Sequence, residues 1–253
     1  MAQSESRDEL IIGRNPVMEA LRSGRNIDSL FVARGERQGS IGKIIAMARD
    51  AKIPVKEVDA KKLDFMCGHA RHQGVIARVA AHAYASIDDI FARAEAKQEP
   101  PFLVICDEIA DPHNLGAIIR SAECAGAHGI IIPQRRSAEL TYTVAKTAAG
   151  ALEYMPVARV NNLPSTLEDL KSRGVWIYGT DMEGETWCQT DLKGPLALVI
   201  GSEGKGMGRL VREKCDFVLS LPMRGEINSL NASVAAGIMM YEVSRQRLGL
   251  KAL

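Results

Sequence analysis

Small polar side chains crowd the stretch GEINSLNASVAAGIMMYEVSR, residues 225 to 245, where Asn228, Ser229, Asn231 and Ser233 fall within six residues ahead of an apolar helical pattern. A helix cap needs one such residue, so the surplus donors and acceptors point to a bound polar ligand. Two other loops carry comparable material. In DPHNLGAIIRSA, residues 111 to 122, Asn114 stands at a loop end and Arg120 follows six residues later among Ile118, Ile119 and Ala122. A guanidinium on a face that the pattern predicts buried or half-buried calls for a carboxylate or phosphate, so an anion site is expected there. Asn114 read alone is a helix cap. In GSEGKGMG, residues 201 to 208, Glu203 lies between Gly201 and Gly204, where backbone can approach a ligand closely. This loop fits neither the phosphate loop nor the dinucleotide fingerprint: Gly204, Gly206 and Gly208 alternate, and no Ser or Thr follows Lys205. A plain glycine turn is the alternative, against which the strand-end carboxylate weighs.

The elements that must position these loops follow from hydrophobic runs. FLVICDEI (102 to 109), GIIIP (129 to 133), VWIYGTD (175 to 181), LALVIGSE (196 to 203) and FVLSLPM (217 to 223) read as buried parallel strands. Helical patterns lie between them at 115 to 126, 138 to 149, 163 to 173 and 207 to 214, with a last one at about 230 to 247. Such alternation predicts an α/β fold with a parallel sheet covered on both faces, and ligands gathered at the carboxyl ends of its strands. In the last helix Leu230, Val234, Ile238 and Tyr241 form the apolar side and Glu242, Arg245 and Gln246 the polar one, while Ala232, Ala235, Ala236 and Gly237 admit a close backbone. Ahead of this region, short β-branched runs alternate with helical patterns over about 75 residues, a small α/β unit in which Asn15 before Pro16 reads as a helix cap. The Ala-rich, charged stretch AHAYASIDDIFARAEAKQEPP, residues 81 to 101, ends in Pro100-Pro101 and reads as a linker.

With 253 residues, 46% apolar and 25% charged, the chain is ordinary globular material and neither disordered nor fibrous. No apolar run approaches the ~20 residues that cross a bilayer, and the N-terminal MAQSESRDELIIGR lacks the signal-peptide pattern, so a cytoplasmic location is expected. The five cysteines are odd in number and never paired as CxxC, which argues against a disulfide framework and against zinc; buried free thiols are expected. His69 and His72 have no ligand-spaced partner, so no metal is expected. Net charge is +1, yet residues 1 to 82 carry 14 Lys and Arg against 10 Asp and Glu. That surplus fits an anionic partner and fits a solvated mixed-charge surface equally well.

Taken together, DPHNLGAIIRSAECAG, LALVIGSEGKGM and LPMRGEINSLNASVAAGI resemble, in order and spacing, the three motifs of the SpoU (TrmH) class of S-adenosylmethionine-dependent RNA ribose 2′-O-methyltransferases. The first segment, with IIGRNPVMEAL and HQGVIARV, is similar to the small RNA-binding domain, itself like a ribosomal L30e protein, that precedes the catalytic domain in the bacterial 23S ribosomal RNA guanosine 2′-O-methyltransferase. The resemblance spans residues 10 to 248 and implies domains at 9 to 82 and 102 to 253, joined by a linker at 83 to 101. It also implies a trefoil-knotted parallel sheet of the SPOUT type holding S-adenosyl-L-methionine, and a homodimer formed through the knotted domain. Residue by residue it assigns catalytic positions to Asn114, Arg120, Glu203, Ser229 and Asn231, and cofactor contacts to Gly201, Leu221 and Leu230, with Thr180 a neighbour at its own strand end. Arg14, Arg71 and Gln73 are the expected RNA contacts, ordinary surface or cap roles being their alternative. The family proposal makes Arg120 the base; a phosphate clamp that stabilises a developing alkoxide is the second version. A transfer RNA ribose methyltransferase of the same class, a non-catalytic RNA-binding relative and a nicotinamide enzyme stand as rivals, the last weakened by the failed fingerprints.

Overall fold

Every residue of the run IDSLFVA, Ile27–Ala33, is buried, the mark of a strand covered on both faces. The computed structural model, which describes residues 10–36, 39–79 and 82–250, builds the first region from β1 (Leu10–Ile12), α1 (Arg14–Arg22), β2 (Ile27–Ala33), α2 (Ser40–Asp50), β3 (Val55–Val58), α3 (Ala60–Met66) and β4 (Val75–Val79). The sheet order is β1-β4-β2-β3, antiparallel except for β2 with β3. Leu30 and Val32 pack with α1 and α2, while Phe31 and Ala33 pack with Leu63 of α3, as the period of two requires. The helix α1 starts two residues earlier than the sequence predicts. Gly13, at φ 97°, makes the turn into it, so Asn15 lies inside the first turn and does not cap. The extreme N-terminus, expected to lack a signal pattern, lies outside the described residues.

Two compact units result, one reaching Ala83 and including Glu139–Tyr142, the other formed by Tyr84–Ala138 and Thr143–Leu253. The stretch expected as a linker is instead a helix, α4 (Ile87–Lys97), opened by a reciprocal capping box between Ser86 and Asp89. Its Ile90 and Ala94 are buried, and Ile90 belongs to the core of the second unit. Pro100-Pro101 ends the helix as expected, but the alanines and charges ahead of it are one buried stripe and its solvated face.

The second unit continues with β5 (Phe102–Cys106), α5 (Pro112–Cys124), β6 (Gly129–Pro133), α6 (Tyr142–Ala148), β7 (Val157–Val160), α7 (Leu163–Ser172), β8 (Trp176–Thr186), β9 (Leu196–Ile200), α8 (Arg209–Lys214), β10 (Phe217–Ser220) and α9 (Ala232–Arg247). All five strand pairs are parallel in the order β10-β8-β9-β5-β6-β7. The chain runs outward through β6 and β7, then returns to place β9 beside β5. That reversal is a topological switch point, and the loops carrying Asn114 and Glu203 leave from these two adjacent strands.

The helix α9 is turned opposite to the prediction. Ala232, Ala236, Met239, Met240 and Val243 are buried, together with Glu242, whereas Val234 and Tyr241 are about half exposed. The helix packs on α5, although Gly237, expected to admit a close backbone, would have nothing within 4 Å of an added Cβ, and Glu242 tolerates burial because Arg245 at 2.7 Å and Gln246 at 2.8 Å satisfy its carboxylate. The arginine partner holds that carboxyl below its usual range.

Candidate functional site

The cap of α5 is Asp111, whose carboxylate accepts from the His113 N–H at 3.1 Å. Asn114 is thereby released from the capping role that the sequence allowed it. It sits one turn into the helix, buried, and its Nδ2 donates to Glu203 Oε1 at 3.0 Å. The same oxygen accepts from Asn231 Nδ2 at 2.6 Å and from the Ala232 N–H at 3.3 Å. Asn231 Nδ2 also reaches Asn114 Oδ1 at 2.9 Å. Asn231 does two jobs, because its Oδ1 caps α9 by accepting from the N–H groups of Ser233 and Val234. Three loops, 89 and 28 residues apart along the chain, therefore meet at one carboxylate oxygen.

Beside this meeting point lies a cleft of about 260 Å³, lined among others by Thr180, Gly201, Glu203, Leu221, Ser229 and Leu230. That is somewhat below the ~300 to 1,000 Å³ common for small-molecule sites. The glycine loop forms its wall as a closed ring: the Ser202 N–H donates to Gly206 O at 3.0 Å and the Gly206 N–H returns to Ser202 O at 2.9 Å. A Cβ on Gly201 would run into the backbone of Gly206 and Met207, so glycine is required where the ring closes. The ring is anchored below by Asp107, at the end of β5, whose Oδ2 accepts from the Gly208 N–H at 2.7 Å. Burial pushes the Asp107 carboxyl up, against the pull of that hydrogen bond, and pushes the neighbouring Cys106 thiol up to about 12. Sequence reasoning missed Asp107 and also Asp181, which lines the cleft and pairs with Arg212 at 3.0 Å. Asp181 closes the strand run VWIYGTD, and its place at a strand end was the signal available.

Not every predicted residue joins the network. Arg120, expected on a buried face with an anionic partner, is exposed and makes no hydrogen bond or ion pair among the described residues. The apolar neighbours Ile118 and Ile119 turn inward and leave the guanidinium on the outer stripe of α5. Ser229 lines the cleft with its hydroxyl unpartnered among the described residues. In the first unit Arg14 and Gln73 are joined: the Arg14 N–H donates to Gln73 Oε1 at 3.1 Å and its Nε–H to Gln73 O at 2.9 Å, while Nη2 pairs with Glu36 at 2.9 Å. Arg71 is exposed on the same loop as Gln73. Of the cysteines, Cys67 and Cys106 are buried but Cys124 and Cys188 are exposed, which corrects the expectation of buried thiols throughout. No group of side chains suited to a metal occurs among the described residues.

Residues 101–241 match the model of the SpoU rRNA methylase family. The chain belongs to that family. Residues 10–85 of this SpoU protein match a second family, RNA 2′-O ribose methyltransferase substrate binding. It is 53% identical over 94% of its length, and 96% of the other chain, to a Bacillus subtilis protein, YacO, assigned to the TrmH family of tRNA/rRNA methyltransferases. A Staphylococcus saprophyticus protein of the same assignment is 47% identical over 94% of this chain and 96% of its own. Among solved structures, the SpoU methyltransferase AviRb from Streptomyces viridochromogenes, crystallised with AdoMet, is 27% identical with a TM-score of 0.61, covering 98% of this chain and 95% of that one. An AdoMet-bound rRNA methyltransferase from Sinorhizobium meliloti is 26% identical with a TM-score of 0.57, over 99% and 92% of the two chains. The parallel α/β sheet of the SpoU protein is thus the fold of these enzymes.

Proposed function

We propose that the protein transfers the methyl group of S-adenosylmethionine to the 2′-hydroxyl of a ribose in structured RNA, with a guanosine of 23S ribosomal RNA as the first-choice target. The observation that carries this reading is the convergence of Asn114, Glu203 and Asn231 at one oxygen beside a glycine-walled cleft. The cleft's residues fit such a donor. Leu221, Leu230 and Met239 offer apolar contact to a purine, the main chain at Gly201 and Gly204 offers its N–H and C=O groups, and the carboxylates of Glu203 and Asp181 suit a cationic sulfonium. The reading includes the trefoil knot around this cleft, a homodimer through the second unit, RNA docking by the first, and a cytoplasmic place of action.

When bound, S-adenosylmethionine supplies a methyl group already activated by its sulfonium. The chain's task is then alignment and proton removal, and alignment alone is worth up to roughly 7 to 11 kcal/mol. Asn114, Asn231 and Ser229 orient the ribose, and Glu203 fixes the first two by accepting from both. Arg120, exposed and unpaired, clamps the target phosphate and stabilises the alkoxide that develops as the 2′-hydroxyl gives its proton to the Glu203 carboxylate, whose Oε2 is not used in the network. A guanidinium is poorly suited to accept that proton itself, so the clamp takes precedence over the base.

Transfer RNA is the second substrate supported, because the names of the curated relatives join tRNA with rRNA. Incubating the protein with tritiated S-adenosylmethionine and separately with 23S ribosomal RNA, 16S ribosomal RNA and transfer RNA tests the whole reading. Ribose methylation confined to 23S RNA is expected; label in transfer RNA alone moves the target, and no label in any RNA rejects the function.

A further inference from the structure

The first unit holds an aromatic ring where packing does not explain one. On α3, Leu63 and Cys67, four residues apart, are fully buried, so Phe65 between them is directed outward and is 76% exposed. It is the most exposed large hydrophobic side chain among the described residues. Lys61 and Lys62, four and three residues before it on the helix, and Arg71 on the loop that follows are exposed and make no ion pair among the described residues. The acids near them are already engaged, Asp64 with His72 at 3.1 Å and Asp59 with Arg34 at 3.7 Å.

The loop that follows α3 is built to keep its shape. Gly68, His69, Gln73 and Gly74 all have φ between 53° and 81°, a left-handed conformation that His69 and Gln73 adopt only under constraint. The constraint is visible in three cross-ties. His72 Nε2 bonds Asp64 of α3, its Nδ1 accepts from the Gly74 N–H at 3.0 Å, and the Cys67 thiol donates to Ala70 O at 3.2 Å. Arg71 and His69 are displayed from a fixed frame next to the helix that bears Phe65.

We propose that Phe65, with Lys61, Lys62 and Arg71 around it, is a stacking site for an unpaired nucleobase, by which the first unit selects looped RNA over duplex. This deepens the functional reading above and rests on RNA being the substrate. A base presents a flat face to the ring and carries its own phosphates to the unpaired cations, a combination that neither an apolar protein surface nor a bare duplex backbone supplies. Stacking on one aromatic side chain typically changes affinity about tenfold.

The test uses the full chain and two RNA probes of equal length, a hairpin with an unpaired loop and a blunt duplex, at one fixed salt concentration. Phe65→Ala is expected to weaken hairpin binding about tenfold and duplex binding by no more than about twofold. Phe65→Trp should bind as the parent does, and Phe65→Leu, which keeps apolar bulk without a π face, should behave as Phe65→Ala. Unchanged hairpin affinity in Phe65→Ala, or equal losses on both probes, overturns the proposal, as does Leu acting like Phe. Tritiated methyl transfer to ribosomal and transfer RNA by the parent protein is measured alongside. Its absence rejects the enzymatic reading, whereas normal transfer with indifferent Phe65 variants rejects the stacking site alone.

Discussion

Glu203 Oε1 collects three donors, and one of them, Asn114 Nδ2, belongs to a buried side chain that has no other acceptor among the described residues. Glu203→Ala therefore leaves a buried amide unsatisfied, at a cost of about 1 to 3 kcal/mol in folding stability, and leaves the two asparagines held only by the single bond from Asn231 Nδ2 to Asn114 Oδ1. A chemical denaturation midpoint should fall accordingly and methyl transfer should drop by at least about a hundredfold, the order seen for a lost preorganised donor. Arg120 behaves differently, because nothing in the folded chain depends on it. Arg120→Ala should nearly abolish methyl transfer while leaving the melting temperature and cofactor affinity close to those of the parent, measured by thermal shift and by calorimetric titration. Full turnover by this variant would remove both the clamp and the base. The two cases also show what the sequence could reveal. The surplus of Asn and Ser ahead of α9 is visible as spacing, since only one of them can cap. The outward turn of Arg120 is not, because Ile118 and Ile119 beside it say only that the helix has a buried side, not how far round that side extends.

At the scale of elements, α4 and α9 explain where periodicity misleads. The stretch before Pro100 carries Ile87, Ile90, Phe91 and Ala94 at helical spacing, a stripe that its alanines, charges and closing prolines disguise as a linker, and Ile90 fits the hollow over Gly129 that any Cβ would fill. The strand β7 was missed for a related reason, four residues with Arg159 among them giving no apolar run. What secures the end of α4 against the sheet is His128. Its ring is fully buried, with Nδ1 accepting from the Phe102 N–H at 3.0 Å and Nε2 bonded to Glu99 at 3.1 Å. Burial holds its pKa below the ordinary value of about 6.5, Lys97 and Arg247 push the same way, and Glu99 opposes them. The native state thus prefers the neutral ring, while the unfolded chain takes up a proton as pH falls through about 6.5. Stability contributed here is complete above that pH and is lost progressively below it. Urea midpoints measured at pH 7.5 and 5.5 should fall for the parent, and His128→Asn, already weaker at pH 7.5, should show a smaller further fall. Equal pH slopes in the two proteins would dismiss the histidine as the cause.

For the whole molecule, α9 leaves an apolar outer side among the described residues. Val234 is 50% exposed, Tyr241 54% and Leu248 69%, at intervals of seven, with Ile238 half-buried between them. Residues seven apart stand nearly in line on a helix, so this is a continuous apolar stripe and not scattered exposure. Its opposite side is already committed to α5 through alanines and methionines. The sequence pattern predicts this stripe correctly as apolar, but assigns it to the chain's own core because one chain contains no second copy for it to meet. The homodimer proposed above would cover it, with the same stripe serving both partners. Charge placed on the stripe must then be buried unpaired on association, which costs far more than the apolar contact it replaces. Val234→Arg with Tyr241→Arg, two charges of one sign that cannot pair across the interface, is expected to convert a dimeric parent into a monomer in light scattering coupled to gel filtration, with circular dichroism unchanged. A parent that is already monomeric at micromolar concentration, or a double variant that remains dimeric, would place the partner of α9 elsewhere.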